Sequence, residues 1–345
     1  WQHGDQGAIV NLDSALRGKR VLVTGAAGFI GSQLVRELAG AGAAVVGVDN
    51  LVNGKAENVA GVEGCELVVT DIRDRERMRG LVKGVSVVYH LACLGVRHSI
   101  HSPRENHQVN AEATLDLLMA AREAGVGRFV YVSSSEVYGT AQRVPMTEAH
   151  PTFPMTVYGA SKLAGECYAR AFHRTYEYPT VMVRPFNTYG PRSHHEGDSG
   201  EVIPKFLLRC LAGRPMVVFG DGTQTRDFTY VSDTARGIAA AGVAPAAVGE
   251  TINLGQGSEI SINRLAEEVA EVVGRPGAKV VHESPRPGDV LRLYADMSFA
   301  RKILGYAPTV SMREGLSKLL EWYKGQAQTP EQLLASEQVR NWEKA

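Results

Sequence analysis

The 345-residue chain has little cysteine: Cys65, Cys93, Cys167 and Cys210 stand far apart, with no Cys-x-x-Cys pair. That excludes a disulfide scaffold and the common zinc-ribbon spacings, and leaves four reduced core thiols as the expectation. Charge of either sign is not in surplus, because 37 Lys and Arg meet 37 Asp and Glu. A nucleic-acid protein carries a basic excess or stripe, so no such partner is expected. No run of about 18 apolar residues is present to span a bilayer, and the N-terminus lacks the charged-then-apolar order of a signal peptide. The expectation is a cytoplasmic protein with no membrane partner. Residues 1–18, which begin at Trp1 rather than Met, are expected to be a tail or an expression remnant.

From Lys19 onward, short β-branched runs alternate with amphipathic segments, the pattern of βαβ units feeding a parallel sheet. Strands are expected at 20–24, 44–49, 66–70, 85–91, 128–133 and 180–184, with helices at 30–39, 111–124 and 158–175. The fold class is therefore α/β, a doubly wound parallel sheet of Rossmann type with a smaller, mostly C-terminal α/β lobe. After Asn187 the chain turns rich in Gly and Pro, then returns to a buried-strand pattern at 250–254 and to helical spacing at 261–273 and 312–323. The expected division is 19–190 plus 228–256 for the sheet domain and 191–227 plus 257–325 for the interleaved lobe. A polar tail, loosely docked, is expected at 326–345.

At the first strand-to-helix turn stands Gly25-Ala26-Ala27-Gly28-Phe29-Ile30-Gly31. Gly25 suits a tight turn, Gly28 a close approach of backbone to pyrophosphate, and Gly31 close packing of the helix on the sheet. Phosphates would lie where free N–H groups and the helix dipole favour anions. Asp49 ends the second strand at about the expected 20 residues on, placed to accept from a ribose hydroxyl, and Asn50 follows where a 2′-phosphate would need Arg. That favours NAD over NADP. Asp71 and Ile72 follow the third strand, where contact with the adenine is expected; a plain turn acid is the alternative.

Tyr158 and Lys162 are one helical turn apart, so the ammonium is expected to depress the phenol pKa and make Tyr158 a usable base. Ser133-Ser134-Ser135-Glu136-Val137-Tyr138-Gly139 ends the fifth strand, at the carboxyl edge where open α/β sheets bind ligands. With these go His90-Leu91-Ala92, Asn110, Arg184-Pro185-Phe186-Asn187 and Gly220-Asp221-Gly222-Thr223-Gln224-Thr225-Arg226. Over roughly residues 20 to 324 the chain resembles the extended short-chain dehydrogenase/reductase family, in its nucleotide-sugar epimerase, dehydratase and decarboxylase group.

The resemblance implies Tyr158 as general base, Lys162 as its activator and nicotinamide-ribose ligand, and Ser134 as the hydrogen-bond partner of the sugar O4. NAD, held also at Leu91, Ala92 and Pro185, oxidises the sugar at C4 and returns the hydride. Asn187, the backbone at Val202 and Ile203, and the side chains of Arg226 and Arg286 fall where the family grips a nucleoside diphosphate, and forked guanidinium donors suit a pyrophosphate. A homodimer through the helix of Tyr158 and the helix near 111–124 is implied as well.

The step after C4 oxidation stays open in the sequence. A 4-epimerase of a UDP-hexose or UDP-uronate needs no second acid or base, whereas Glu136, with Ser135, resembles the acid pair of 4,6-dehydratases and UDP-glucuronate decarboxylases. Arg97 or His98 has the position to pair with a uronate carboxylate. A non-catalytic NAD sensor is the alternative from another class; intact Ser134, Tyr158 and Lys162 weigh against it. His194-His195-Glu196 is expected to belong to a loop beside the substrate, and no metal is expected.

Overall fold

The structure is a computed structural model and describes residues 11–197, 199–285, 290–340 and 342. Seven parallel strands form the central sheet: β1 (Arg20–Thr24), β2 (Ala44–Asp49), β3 (Cys65–Val69), β4 (Val87–His90), β5 (Arg128–Val132), β6 (Thr180–Pro185) and, after four short strands of the second lobe, β11 (Thr251–Leu254). Their spatial order is β11-β6-β5-β4-β1-β2-β3. The order reverses between β1 and β4, which opens the crevice at the carboxyl ends where such sheets bind ligands.

Helices cover both faces because β1, β4, β5 and β6 are apolar on both sides. The short α1 (Leu12–Leu16) buries Leu16 completely, so part of the expected N-terminal tail is folded. It packs on α2 (Phe29–Gly40) on one face, while α3 (Arg75–Leu81) lies on the other. Next come α4 (Val96–His101), α5 (Pro103–His107), a π turn at Gln108–Glu112, α6 (Ala113–Glu123) and the long α7 (Val157–Tyr176). The elements anticipated from periodicity are present, with ends shifted by one or two residues.

The second lobe is built from β7 (Asn187–Tyr189), α8 (Val202–Leu211), β8 (Met216–Phe219), β9 (Thr225–Arg226), β10 (Phe228–Tyr230), β12 (Ile260–Ser261), α10 (Ile262–Val273), β13 (Val280–Glu283) and α12 (Met312–Lys324); β7 and β10, expected in the sheet domain, pair with each other and bury Tyr189, Phe228 and Tyr230 in the lobe core instead. The helix α9 (Val231–Val243) returns the chain to the sheet face of α2, and α11 (Ser298–Leu304) packs near β11. Two apolar cores flank the sheet and a third, around Phe206, Leu207, Leu265 and Leu319, fills the lobe. The segment from Gln326 is not loosely docked. There, α13 (Pro330–Leu333) starts with a capping box between Thr329 and Gln332, and Leu333 and Leu334 are buried in the third core.

No described helix is long and apolar enough to cross a membrane. All four cysteines are free, but only Cys210 is fully buried; Cys93 and Cys167 are exposed, against the expectation of four core thiols.

Candidate active site

The β1–α2 turn is shaped by its glycines. Gly25 adopts φ +71, and a Cβ there would come within 2.8 Å of the Ala92 nitrogen. A Cβ on Gly31 would overlap the Gly25 carbonyl, so this glycine lets the helix begin against the turn itself rather than against the sheet. Gly28 caps α2 with no side-chain hydrogen bond, leaving the first-turn N–H groups for a ligand. Asp49 sits at the end of β2; its carboxylate accepts from Ala27 N at 3.0 Å and Leu51 N at 2.8 Å, which fixes the loop against the turn while lone pairs remain. Asp71 accepts from Asn50 at 2.9 Å, and hydrogen bonds from Arg73 hold its carboxyl down at about 2.

At the other side of the crevice, Thr156 caps α7 and Gly159 brings the helix against the turn after β5. A Cβ at Gly159 would approach the Glu136 carbonyl to 2.7 Å. That contact sets Tyr158 beside Ser134. Burial pushes the Tyr158 phenol well above its ordinary value, the adjacent Cys93 adds to this, and a hydrogen bond with Ser134 lowers it. Lys162 is buried, its amine 4.6 Å from the centre of the Tyr131 ring and its pKa lowered by desolvation, with Cys93 and Glu166 acting the other way. The expected depression of Tyr158 by Lys162 is therefore not built into the protein alone: burial dominates, and the contact that lowers the phenol is the hydrogen bond with Ser134.

The loop after β4 is tied down by the π turn. Asn110 accepts from Leu94 N at 2.8 Å and donates to the Leu94 carbonyl at 3.0 Å and to Ser161 at 3.1 Å, linking that loop to α7. His90 bridges Thr24 and Thr114 at 2.7 and 2.9 Å, and burial pushes its imidazole down to about 3, so it is neutral. Beneath the site, buried Glu166 and Arg184 form an ion pair that also holds the Tyr138 hydroxyl.

One cavity of about 690 Å³ runs between the strand ends and the lobe. It is lined by Gly25, Gly28, Phe29, Ile30, Gly31, Asp49, Asn50, Asp71, Ile72, Leu91, Ala92 and Pro185 along the first domain. Ser134, Glu136, Tyr158 and Lys162 face it at the centre, and Arg97, Asn187, Val202 and Arg226 toward the lobe. Ser135 does not line it: the residue is buried as the first of a 3-10 turn, Ser135–Val137, whose geometry sends neighbouring side chains to different sides. Arg286 lies outside the described residues. His98, although it lines the cavity, bonds Glu105 at 3.2 Å. His194 lines the cavity too, whereas His195 packs edge-on to Tyr323; among the described residues no three His, Cys, Asp or Glu converge on a metal position.

Some lining residues were not singled out from sequence. Cys93 follows His90-Leu91-Ala92 directly, a position signal that was there to use. Glu201, Phe219 and Trp342 reach the cavity through tertiary folding and carry no local signal. Burial pushes the Glu201 carboxyl up to about 8, against the charge of nearby Arg97. Ser133 Oγ and Asn187 Oδ1, on two residues that line this cavity, are shielded from solvent and have no protein hydrogen-bond partner.

A dinucleotide turn and a Ser-Tyr-Lys constellation facing one crevice define a Rossmann-fold oxidoreductase-type site. A family model described as the NAD dependent epimerase/dehydratase family matches residues 21–255, and the chain belongs to that family. It is 40% identical over 316 residues to the UDP-glucose 4-epimerase of Mycolicibacterium smegmatis, covering 90% of this chain and all of that one. The UDP-N-acetylglucosamine 4-epimerase of Methanobrevibacter ruminantium, solved with UDP-N-acetylmuramic acid, superposes with a TM-score of 0.85 at 33% identity, covering 90% of this chain and 99% of that one. The dTDP-glucose 4,6-dehydratase DesIV of Streptomyces venezuelae, solved with NAD, gives 0.82 at 36%, covering 88% and 97%.

Proposed function

We propose that the protein is an NAD-dependent 4-epimerase of a UDP-hexose. What carries the proposal is the meeting, in one cavity, of Ser134, Tyr158 and Lys162 with the dinucleotide turn and with the unpartnered amide oxygen of Asn187. The open first turn of α2 would hold the pyrophosphate of NAD, Asp49 its adenosine ribose, and Lys162 the nicotinamide ribose. Bound there, NAD supplies a hydride acceptor for C4 of the sugar and the donor that restores it.

The protein's own task is proton movement and orientation. Ser134 and Tyr158 bind the C4 oxygen together, and Tyr158 takes its proton as the carbonyl forms and gives it back as the opposite configuration is made. Because burial keeps the free phenol protonated, Tyr158 becomes a base only in the loaded site, and the Lys162 ammonium beside the nicotinamide ribose is the positive charge the chain contributes. Asn187, Arg226 and the N-terminal turn of α8 hold the nucleoside diphosphate while the sugar turns between its two faces.

One observation supports isomerisation over loss of water. Loss of water across C5 and C6 requires an acid for the leaving hydroxyl besides a base for the C5 proton, and of the Ser135–Glu136 pair only Glu136 faces the cavity. The half-buried Glu136, which lines the cavity, favours the lyase reading, which is why product mass is the test. Incubated with UDP-glucose, UDP-N-acetylglucosamine, UDP-glucuronate or dTDP-glucose, the protein should give an isomer of unchanged mass from a UDP-hexose; loss of water or carbon dioxide would contradict the proposal.

A further inference from the structure

The end of the chain is fastened across the lobe. Gly197 N donates to the Ser336 carbonyl at 2.9 Å, and Lys205 Nζ to the Gln338 carbonyl at 2.7 Å. Arg209 Nε donates to Glu337 at 2.8 Å, a pair almost wholly shielded from solvent, and Arg340 pairs with Glu283 on β13 at 3.0 Å. With Leu333 and Leu334 anchored in the lobe core, these contacts lay 336–340 over α8 and the end of β13. Glu337, Val339 and Trp342 thereby become walls of the same cavity that holds Tyr158.

Trp342 meets Phe219 edge to face, with ring centroids 4.7 Å apart and planes at 83°. Val217, Val218, Val290 and Val339 line the same cavity, as do the cations Arg226 and Lys205. An aromatic and aliphatic chamber next to cations divides a ligand in a definite way: phosphates go to the cations and a flat heteroaromatic ring to the chamber.

We infer that the C-terminal residues 336–340 and Trp342 are part of the substrate site, with the Trp342 indole forming one wall of the pocket for the base of a nucleoside diphosphate. The inference rests on the nucleotide-sugar reading above and adds to it a binding residue from the end of the chain. Stacking or edge contact of a base with an aromatic side chain makes about a tenfold or larger contribution to affinity.

The test is calorimetric titration of NAD-loaded protein with UDP and with inorganic pyrophosphate, for the intact chain and for W342A, W342L and W342F. W342A and W342L should bind UDP about tenfold more weakly, W342F nearly normally, and all three should bind pyrophosphate as the intact chain does, with unchanged NAD affinity and melting temperature. W342L keeps apolar bulk without a ring, so it separates ring contact from packing. UDP binding in W342A equal to or tighter than in the intact chain would overturn the inference, as would equal losses for UDP and pyrophosphate. If the intact chain itself bound no UDP, the functional reading would fall and this inference with it.

Discussion

Tyr158 is where the chemistry concentrates, and its surroundings prescribe how substitutions there behave. Tyr158→Phe keeps the ring and its packing but removes the proton carrier, so turnover should fall by about 10² to 10⁴-fold while NAD binding persists. A protein that merely sensed NAD would show no change in its partner response. Glu136→Gln should cost less than about tenfold in turnover of a UDP-hexose, because hydride return to a rotated ketone uses no second base. A loss of 10² or more would assign Glu136 to an elimination step. Glu201 carries the pH signature. Its folded value, raised to about 8, exceeds the ordinary carboxylate value, so its contribution to stability is complete below about pH 4.5 and lost as pH rises toward 8. Thermal melting across that range should therefore show Glu201→Gln gaining on the intact protein from almost nothing at pH 4.5 to a constant margin above pH 8.

The elements explain both what the sequence disclosed and what it withheld. The β1–α2 turn, Asp49 and the Tyr158–Lys162 spacing were legible because each is defined by a few neighbouring residues on one strand or helix. Ser135 was not, since whether it or Glu136 faces the crevice depends on the 3-10 turn after β5, a one-residue rotation that periodicity does not encode. The π turn at Gln108–Glu112 begins ahead of the helix expected at 111–124 and carries no periodic signal, yet it aims Asn110 across to α7. Packing of α7 yields a sharp prediction. Gly159→Ala would press a methyl against the Glu136 carbonyl and the Pro154 ring, lifting the first turn of α7 and with it Tyr158. A loss of about 1–3 kcal/mol in chemical denaturation, together with reduced turnover, is expected. Glu166→Gln, which leaves Arg184 buried and half-paired, should cost about 3–5 kcal/mol in the same measurement.

At the scale of the molecule, the sheet domain and the lobe meet over the cavity, and side chains cross between them. Lys55 pairs with Glu196 at 2.8 Å, and Arg192 donates to Ser32 at 3.0 Å and Gln33 at 2.7 Å, so the loop after β7 is fastened to the loop after β2 and to the first turns of α2. These crossings were invisible in sequence because their partners lie more than a hundred residues apart. A ligand spanning the cavity binds only the folded arrangement, so UDP at a hundredfold excess over its Kd should add about 2.7 kcal/mol of stability, read as a rise in melting temperature. We further propose that α6 and α7 pair with those of a second copy; sedimentation should then show a dimer.

The central claim is that the sugar passes through a C4 ketone with its hydrogen conserved and no carbon–hydrogen bond opened to solvent. Turnover of a UDP-hexose in deuterium oxide, with the product analysed by mass spectrometry, tests this directly. The account predicts an isomer that carries no carbon-bound deuterium. One deuterium at C5, or a product lighter by water or carbon dioxide, would contradict it.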